Sequence, residues 1–411
     1  MRRCKAAVIG AGASGLMAAA TAARILGKGK ILVVEGSPKP GRKLLATGNG
    51  RCNLTNLSIQ PQYYHGDTLP PGLFAHYSSQ RIIEEFRQLG LLTQTDPQGR
   101  VYPHSLQAAA VVKTLVGACQ RAGAELACSF PVKSLQPVRG GWLLTSQSGE
   151  EIFAQRCVLA CGGQASPKLS TGSGYGLAKE LGHTVTPLSP SLVGLAVPGK
   201  GTKAIKGMRC KARVSLYSNK RLIKEERGEI IFGDQGISGV CVMNLSAKLR
   251  EIPRKGISLT LDLLESLSPA QVFGYLKALC QSQPDLPAGE LLGGAVNLRV
   301  GQALIKNLGL PFAKPISQLA GQELRAAAQA VKAFYLPIAG PLGWEDAQAT
   351  AGGIPLDQVN LKTMESLQCP GLYITGELLN VDGDCGGYNL HWAWTTGLIA
   401  GKAIGESLRT G

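Results

Sequence analysis

The fold is decided by Lys5-Ala6-Ala7-Val8-Ile9-Gly10-Ala11-Gly12-Ala13-Ser14-Gly15, an apolar strand that runs into a glycine-rich turn. An alanine-rich helix follows, and a second apolar strand, 31–34, ends at Glu35. The three glycines permit a tight turn, close approach of a pyrophosphate, and close packing of helix on strand, and the acidic residue can bind a ribose. The pattern therefore predicts a dinucleotide site that contains Gly10, Gly12, Ala13, Ser14, Gly15 and Glu35.

Two other interpretations of this stretch have to be weighed. A strand, turn and helix can be buried without binding any ligand, and the nearly uncharged run 6–26 also resembles a membrane span. The glycines in its first half and Arg24 near its end argue against a span. The acidic residue at the expected spacing favours the dinucleotide site over a turn without a ligand.

Length and composition predict a cytoplasmic protein of two or three domains. The chain has 411 residues, and no charged and apolar leader precedes the first strand. Its 11 cysteines are scattered singly, without a CxxC pair, which is typical of reduced thiols. The cysteines and the five histidines show no metal-ligand spacing, so no metal site is predicted.

The net charge of +16 favours a polyanionic partner. The excess is concentrated between Lys200 and Lys255, where 14 basic and 5 acidic residues give +9. A solvated basic surface would explain this stretch equally well, but the clustering keeps RNA or DNA as a possible partner. The residues that we expect to contact such a nucleic acid are Arg209, Lys211, Arg213, Lys220, Arg221, Lys224 and Arg227.

The order of elements predicts an α/β protein with an insert. Strands and helices alternate over 1–190, and the apolar strand 157–161 ends in Gly162-Gly163, which indicates a return to a parallel sheet. Over 191–342 the sequence becomes basic and rich in short strands, and then helical, with Ser268-Pro269 beginning a helix. We interpret 191–342 as a β-barrel (about 191–262 and 333–342) with a helical lobe (about 263–332).

The C-terminal region, 343–411, returns to α/β character. The strand 371–375 leads into Gly376-Glu377, then into the glycine-rich run 381–389 and a helix over 390–408. Because FAD is longer than one βαβ unit can hold, a second segment must meet its ribitol and ring. We therefore expect 1–190 and 343–411 to form one discontinuous FAD-binding domain.

These residues resemble the BaiN/RdsA-like NAD(P)/FAD-dependent oxidoreductases, a group also known as aminoacetone-oxidase-like flavoproteins. The most specific similarities are the runs 41–56 (GRKLLATGNGRCNLTN) and 381–394 (VDGDCGGYNLHWAW), together with Gly376-Glu377. Cys161 departs from the threonine that is usual in the family. The resemblance implies a Rossmann-type FAD domain of the glutathione-reductase-like superfamily, interrupted by an inserted β-barrel and helical lobe.

The resemblance also implies contacts for each part of the cofactor. Gly376 and Glu377 are expected to meet the ribitol and pyrophosphate, and Asn53 the polar atoms of the flavin. The helix start at Gly387, Tyr388, Asn389 and Leu390 is expected to face the flavin ring, where its dipole favours the negative charge of the reduced form. Further expected contacts are the backbone of Val132 with adenine, Gly162 and Gly163 at close approach, Arg51 beside the cofactor, and Arg42 and Lys43 with phosphate or adenine unless they are simply solvated.

The proton donor is expected among the titratable residues of these motifs. We favour Cys52, because the charge of Arg51 beside it would lower the pKa of the thiol. Tyr388, His391 and Cys385 are the alternatives, and Cys52 could instead only pack beside the ring.

The predicted enzyme transfers hydride from reduced FAD to a polarised C=C bond. The charge favours uridine in ribosomal RNA, giving dihydrouridine, because phosphate neutralisation supplies most non-specific affinity. The alternatives are a small conjugated, steroid-like substrate, an amine oxidase that uses oxygen, and a non-catalytic RNA-binding flavoprotein. No second complete GxGxxG unit is present, so we expect NAD(P)H to bind only transiently as the reductant.

Overall fold

The computed structural model describes residues 1–199, 202–253 and 255–409 and divides the chain into two compact units. The first comprises Met1–Ser191 and Ala347–Gly411, and the second comprises Leu192–Asp346. Lys200 and Arg254, which belong to the basic stretch, lie outside the described residues.

The elements follow one another in three blocks. The first block contains strands β1 Arg2–Ile9, β2 Ile31–Val34, β3 Thr55–Asn56, β4 Tyr64–Gly66, β5 Thr93–Thr95, β6 Arg100–Pro103, β7 Glu125–Ala127, β8 Val132–Val138, β9 Gly141–Ser146, β10 Glu151–Leu159 and β11 Ser189–Ser191, and helices α1 Ala13–Leu26, α2 Arg42–Ala46, α3 Leu73–His76, α4 Ser79–Gln88, α5 Ala108–Arg121 and α6 Ser173–Glu180. The second contains β12 Leu195–Ala196, β13 Arg209–Ser218, β14 Arg221–Phe232, β15 Gly236–Ser238, β16 Ile257–Asp262, β17 Phe334–Pro337 and β18 Gly340–Pro341, with α7 Val240–Ser246, α8 Pro269–Ser282, α9 Leu298–Asn307 and α10 Gly321–Lys332. The third contains β19 Ala349–Ala351, β20 Val359–Asn360, β21 Glu365–Ser366, β22 Leu372–Ile374, β23 Val381–Gly383 and α11 Tyr388–Arg409.

The first unit is built on a parallel sheet in the order β22-β10-β1-β2-β7. The ends of its central strands lie side by side, with Ile9 opposite both Leu159 and Val34. Strand β2 and the second half of β1 are buried on both faces, which explains their unbroken apolar sequence. The Rossmann-type topology predicted from the sequence is confirmed, including the return of 157–161 and 371–375 to the parallel sheet.

Helix α11 packs closely against α1 through three glycines, Gly397, Gly401 and Gly405, which recur every fourth residue. A Cβ atom on Gly397 would lie 2.5 Å from the carbonyl oxygen of Ser14, and one on Gly401 would lie 2.5 Å from that of Ala18. The two helices can approach this closely only because these positions carry no side chain. The last helix of the chain is thereby held against the first.

The second unit contains a sheet in the order β17-β16-β13-β14-β15-β12-β18 and four helices, α7 to α10. Its longest hairpin joins β13 to β14 through Asn219 and Lys220, both with positive φ. Helix α8 begins with a capping box at Ser268, as the sequence predicts. Closure of the sheet into a barrel stays a prediction.

Within the described part of the chain, no helix combines the length and the apolar character that crossing a lipid bilayer requires.

Substitution of Gly401 by alanine tests the contact between α1 and α11. We expect the added methyl group to overpack the interface by about 1–3 kcal/mol, more than the roughly 1 kcal/mol that alanine gains in a helix. The thermal unfolding midpoint should therefore fall. In the matched control Gly176→Ala, in α6, the new Cβ meets no atom within 4 Å, and the midpoint should stay equal or rise. Equal effects of the two substitutions would contradict the close contact.

Candidate functional site

The turn between β1 and α1 has the geometry of an anion-binding site. Gly10 has φ +107°, and a Cβ there would lie 2.5 Å from the carbonyl oxygen of Ala160. A Cβ on Gly12 would meet nothing within 4 Å, so the space over this glycine is open. Helix α1 begins at Ala13 with no side-chain cap and no acidic residue in its first turn. Its first N–H groups and its dipole therefore favour a negatively charged ligand.

Glu35 follows β2 and lies beside this turn. One carboxylate oxygen accepts a hydrogen bond from the backbone N–H of Ala11 at 2.8 Å, and the other accepts one from Ser37 at 2.8 Å. These bonds fix the carboxylate next to the glycine-rich turn, where each oxygen retains a second lone pair for a ribose hydroxyl.

Glu377 brings together parts of the chain that are distant in sequence. Its carboxylate forms an ion pair with the Lys43 ammonium at 2.7 Å and accepts the N–H of Thr350 at 2.8 Å. A Cβ on Gly163 would lie 2.7 Å from this carboxylate, and one on Gly376 would lie 2.7 Å from the Ser14 hydroxyl. Lys43 is thus engaged with a carboxylate, which the sequence did not suggest.

The loop 47–53 has an unusual backbone around Cys52. Asn49 and Cys52 both have positive φ, at 54° and 59°, and Cys52 is fully buried. Positive φ is costly for a residue with a side chain and is often kept at functional sites. Burial raises the pKa of the Cys52 thiol to about 12, with the Thr47 hydroxyl opposing it. The predicted lowering of this pKa by Arg51 is wrong, because desolvation dominates and Arg51 is itself exposed.

The side chain of Asn53 contains a buried acceptor without a partner among the described residues. This acceptor is the side-chain oxygen Oδ1. A Cβ on the neighbouring Gly387 would lie 2.9 Å from this oxygen and 2.6 Å from the carbonyl oxygen of Thr55. Buried polar atoms almost always have a partner, so this oxygen is available to accept a hydrogen bond from a bound molecule or from water.

The start of α11 is held by the chain that precedes it. The Tyr64 hydroxyl donates to the backbone oxygen of Tyr388 at 3.1 Å, and the Asn389 side chain bonds both the N–H and the carbonyl of Gly383. Leu390 is half-buried. The side chain of Asn389 therefore shapes the turn that precedes α11.

Three protonated side chains lie in these motifs. Burial, and then the neighbouring Tyr63, raises the pKa of Tyr388 above its usual range. Burial also raises the pKa of Cys385 to about 11; Arg100 opposes this shift and Asp384 adds to it. Together with Cys52, these groups hold their protons at neutral pH, which is the form that a general acid requires.

His391 is fully buried and engaged at both ring nitrogens. Nδ1 lies 2.8 Å from the Thr55 hydroxyl, and Nε2 lies 2.9 Å from the carbonyl oxygen of Tyr77. Since a carbonyl can only accept, Nε2 carries the hydrogen and Nδ1 accepts from Thr55. Burial lowers the pKa of His391 to about 4, so the ring is neutral at pH 7. To donate a proton to a substrate, the ring would have to give up its hydrogen bond at one of these two nitrogens.

The other predicted contacts lie in the same unit. Gly162 and Gly163 follow β10, and Val132 begins the edge strand β8, opposite Ser146. Arg42 is exposed and donates to the backbone oxygen of Lys168 at 2.9 Å.

Sequence reasoning missed three residues that hold the site together. The Thr350 hydroxyl accepts from the backbone N–H of Gln164 and Ala165, at 2.8 and 3.0 Å. The Trp394 indole donates to the carbonyl of Leu54, and that of Trp392 donates to the carbonyl of Gly376. A tryptophan at a helix start is a weak signal of such anchoring, and Thr350 gives none, because its partners are distant in sequence.

The predicted RNA contacts lie on the β13–β14 hairpin of the second unit, where acidic residues accompany them. Arg209 pairs with Glu229 at 3.4 Å and Lys224 with Glu226 at 2.8 Å. Two further pairs are Arg213 with Asp262 at 3.2 Å and Arg227 with Glu265. Lys211, Lys220 and Arg221 have no acidic partner among the described residues. Of the seven predicted RNA contacts, four are therefore paired with carboxylates, and the three that are not, within the part of the chain that the structure describes, are Lys211, Lys220 and Arg221.

The low pKa of His391 predicts a dependence of stability on pH. Because the folded pKa is about 4 and the ordinary value is 6.5, the unfolded chain binds a proton over this interval and the folded chain does not. The stability that neutral His391 contributes is complete above pH 6.5 and is lost as the pH falls towards 4. In urea unfolding, the advantage of wild type over His391→Gln should shrink over this interval. A difference that stays constant with pH would contradict the buried neutral ring.

Two known proteins are similar to this chain over almost its whole length. The chain is 35% identical over 404 residues to the 3-dehydro-bile acid delta(4,6)-reductase of Clostridium scindens, covering 97% of this chain and 98% of that protein. It is 27% identical over 417 residues to the ribosomal RNA dihydrouridine synthase of Escherichia coli, covering 98% and 100%. Both proteins match along essentially their whole length.

Among solved structures, 3-ketosteroid delta1-dehydrogenase from Sterolibacterium denitrificans superposes with a TM-score of 0.55 at 14% identity, covering 99% of this chain and 100% of that one. At 14% identity, this similarity shows only that the two proteins share a fold.

The family match agrees with the geometry of the first unit. The model of the HI0933-like protein Rossmann domain matches residues 4–403, from β1 into α11. This match confirms the family resemblance to flavin oxidoreductases of the BaiN/RdsA type. The protein is therefore an enzyme. The chain belongs to the HI0933-like Rossmann family of flavin oxidoreductases.

Proposed function

We propose that this protein is an FAD-dependent reductase that transfers hydride to the C=C bond of a small conjugated substrate such as a steroid-like enone. The unpartnered Asn53 oxygen beside the start of α11 carries the flavin part of this proposal. The open, uncapped turn at Gly12 supports it, because this turn suits the pyrophosphate of the same cofactor.

Different residues of the first unit would bind different parts of the cofactor. The N–H groups at the start of α1 would hold the pyrophosphate, and Glu35 would hold the adenosine ribose. Glu377, fixed by Lys43 and Thr350, would meet the ribitol. The start of α11 would place its positive end at the flavin ring, where negative charge develops on reduction.

When bound, FAD would supply hydride to an electron-poor carbon of the substrate, and NAD(P)H would serve as the transient reductant. The protein must then protonate the neighbouring carbon. Cys52 and Tyr388 are the proposed donors, because burial keeps both protonated at neutral pH. His391, bonded at both nitrogens, would instead hold Thr55 and Tyr77 in place beside the start of α11.

Two observations favour a small substrate over RNA. Four of the seven basic side chains on the hairpin are paired with carboxylates, which lowers the positive charge available to phosphates. Aromatic rings surround the start of α11: the Tyr63 ring lies 4.9 Å from that of Tyr388, and the Tyr64 ring lies 4.9 Å from that of Phe74. The reductase from Clostridium scindens, a bile-acid enzyme by its name, supports the same substrate class.

Uridine in ribosomal RNA is the second candidate. It is favoured by the net charge of +16, by the unpaired Lys211, Lys220 and Arg221, and by the similarity to a ribosomal RNA dihydrouridine synthase. The chemistry is closely related, since both reductions add a hydride to an electron-poor carbon and a proton beside it.

Anaerobic reoxidation of the reduced flavoprotein distinguishes the two substrates. We expect a 3-oxo-4-ene steroid to restore the yellow oxidised spectrum and to gain the mass of two hydrogen atoms. Ribosomal RNA should leave the flavin reduced. Reoxidation by RNA alone, with the same mass gain on a uridine, would overturn the proposed substrate. In that case, reversing the charges of Lys211, Lys220 and Arg221 should abolish RNA binding and leave the flavin spectrum unchanged.

Substitution of Asn53 by leucine tests the flavin contact. Removing an unpartnered buried oxygen should keep or raise the unfolding temperature of the apoprotein, because that oxygen costs about 1–3 kcal/mol while it lacks a donor. Affinity for FAD should fall by roughly tenfold, the equivalent of one lost hydrogen bond of about 1.4 kcal/mol.

Asn56→Leu is the matched control. Its side chain already bonds the carbonyl of Gly386 and the N–H of Ser58, so the apoprotein should lose stability. Destabilisation of the Asn53→Leu apoprotein to the same degree, with unchanged FAD affinity, would show that Asn53 serves only the protein.

A further inference from the structure

A buried histidine–aspartate pair lies beside the proposed flavin site and has no role in the chemistry above. His65 is in β4, and Asp384 directly follows β23. The two side chains are only 3% and 8% exposed, and Nε2 of His65 lies 2.8 Å from Oδ1 of Asp384. Burying two polar side chains costs desolvation energy that a single hydrogen bond does not reliably recover. The pair therefore calls for a reason other than stability.

The pair lies at the end of a short ladder. Strands β4 and β23 run antiparallel, with Asp382 opposite His65 and Gly383 opposite Tyr64. The backbone N–H of Asp384 then donates to the carbonyl of Tyr63 at 2.8 Å. Asp384 is the last residue before the turn 385–387, and its side-chain bond to His65 fixes the chain at that point.

The turn 385–387 has an unusual backbone conformation that residues outside the turn support. Gly386 and Gly387 have φ of +135° and +105°, and α11 begins at the next residue. The Gly386 carbonyl accepts from the Asn56 side chain at 3.1 Å, and the Tyr64 hydroxyl bonds the first residue of α11. Strand β4 thus contacts both ends of the turn, through His65 at its beginning and through Tyr64 at its end.

We infer that His65 is a positioning residue that fixes the start of α11 against the flavin ring through its bond to Asp384. This inference rests on the proposed function, because it assumes that α11 faces the ring. The positive end of a helix stabilises nearby negative charge only within its first turn. A start of α11 that moves away from the ring makes the flavin harder to reduce and misplaces it relative to the substrate.

The test measures the flavin midpoint potential and the steady-state kinetics of His65 variants in the full chain. In His65→Leu, the bond to Asp384 is lost, and we expect a lower midpoint potential and a loss of kcat of up to on the order of 10²-fold, with a smaller change in KM. His65→Gln keeps an amide N–H close to the position of Nε2, and it should restore most of both properties. Asp384→Asn, which keeps an acceptor oxygen for His65, should lower kcat by less than His65→Leu does.

Lys332→Met is the control for a general loss of stability. It breaks a buried ion pair, from Lys332 to Asp262 at 2.8 Å, in the unit 192–346. It should lower the unfolding midpoint without changing the flavin potential.

The outcomes separate the two proposals. A His65→Leu protein with wild-type potential and kcat overturns the positioning role, and so does a His65→Gln protein as impaired as His65→Leu. If His65→Leu does not fold, Asp384→Asn with wild-type potential and kcat overturns it. A wild-type protein that binds no flavin, or that reduces neither candidate substrate, contradicts the proposed function instead.

Discussion

The close contact of α11 with α1 is the constraint on which the rest of the first unit depends. Gly397 and Gly401 allow the last helix to lie against the backbone of the first, at distances that any side chain would prevent. This contact brings Gly376 to Ser14 and Glu377 to Lys43. We propose that residues from opposite ends of the sequence serve one elongated cofactor, with its phosphates at α1 and its ring at α11.

In this site, burial sets the protonation states of the titratable side chains. Desolvation raises the pKa of Cys52, Cys385 and Tyr388 and lowers that of His391. At neutral pH all four groups are uncharged. Such an environment favours hydride transfer followed by proton donation from a neutral acid.

The sequence predicts most of the fold because the decisive signals are local. The glycine spacing at 10–15, the apolar strands and the cap at Ser268 each depend on neighbouring residues, and all are found as predicted. The errors come from burial. The charge of Arg51 next to Cys52 suggested a low thiol pKa, but the folded chain buries the thiol and leaves Arg51 exposed. Likewise, the pairing of Lys43 with Glu377 joins residues far apart in sequence and leaves no local pattern.

The most direct test of the account is a calorimetric comparison of FAD, ADP and FMN binding to the apoprotein. If the two ends of the chain hold one cofactor, FAD should bind much more tightly than either fragment, because each fragment reaches only one end. ADP binding as tight as that of FAD would contradict the account, since the C-terminal segment would then contribute nothing. Failure to bind FAD at all would contradict it as well.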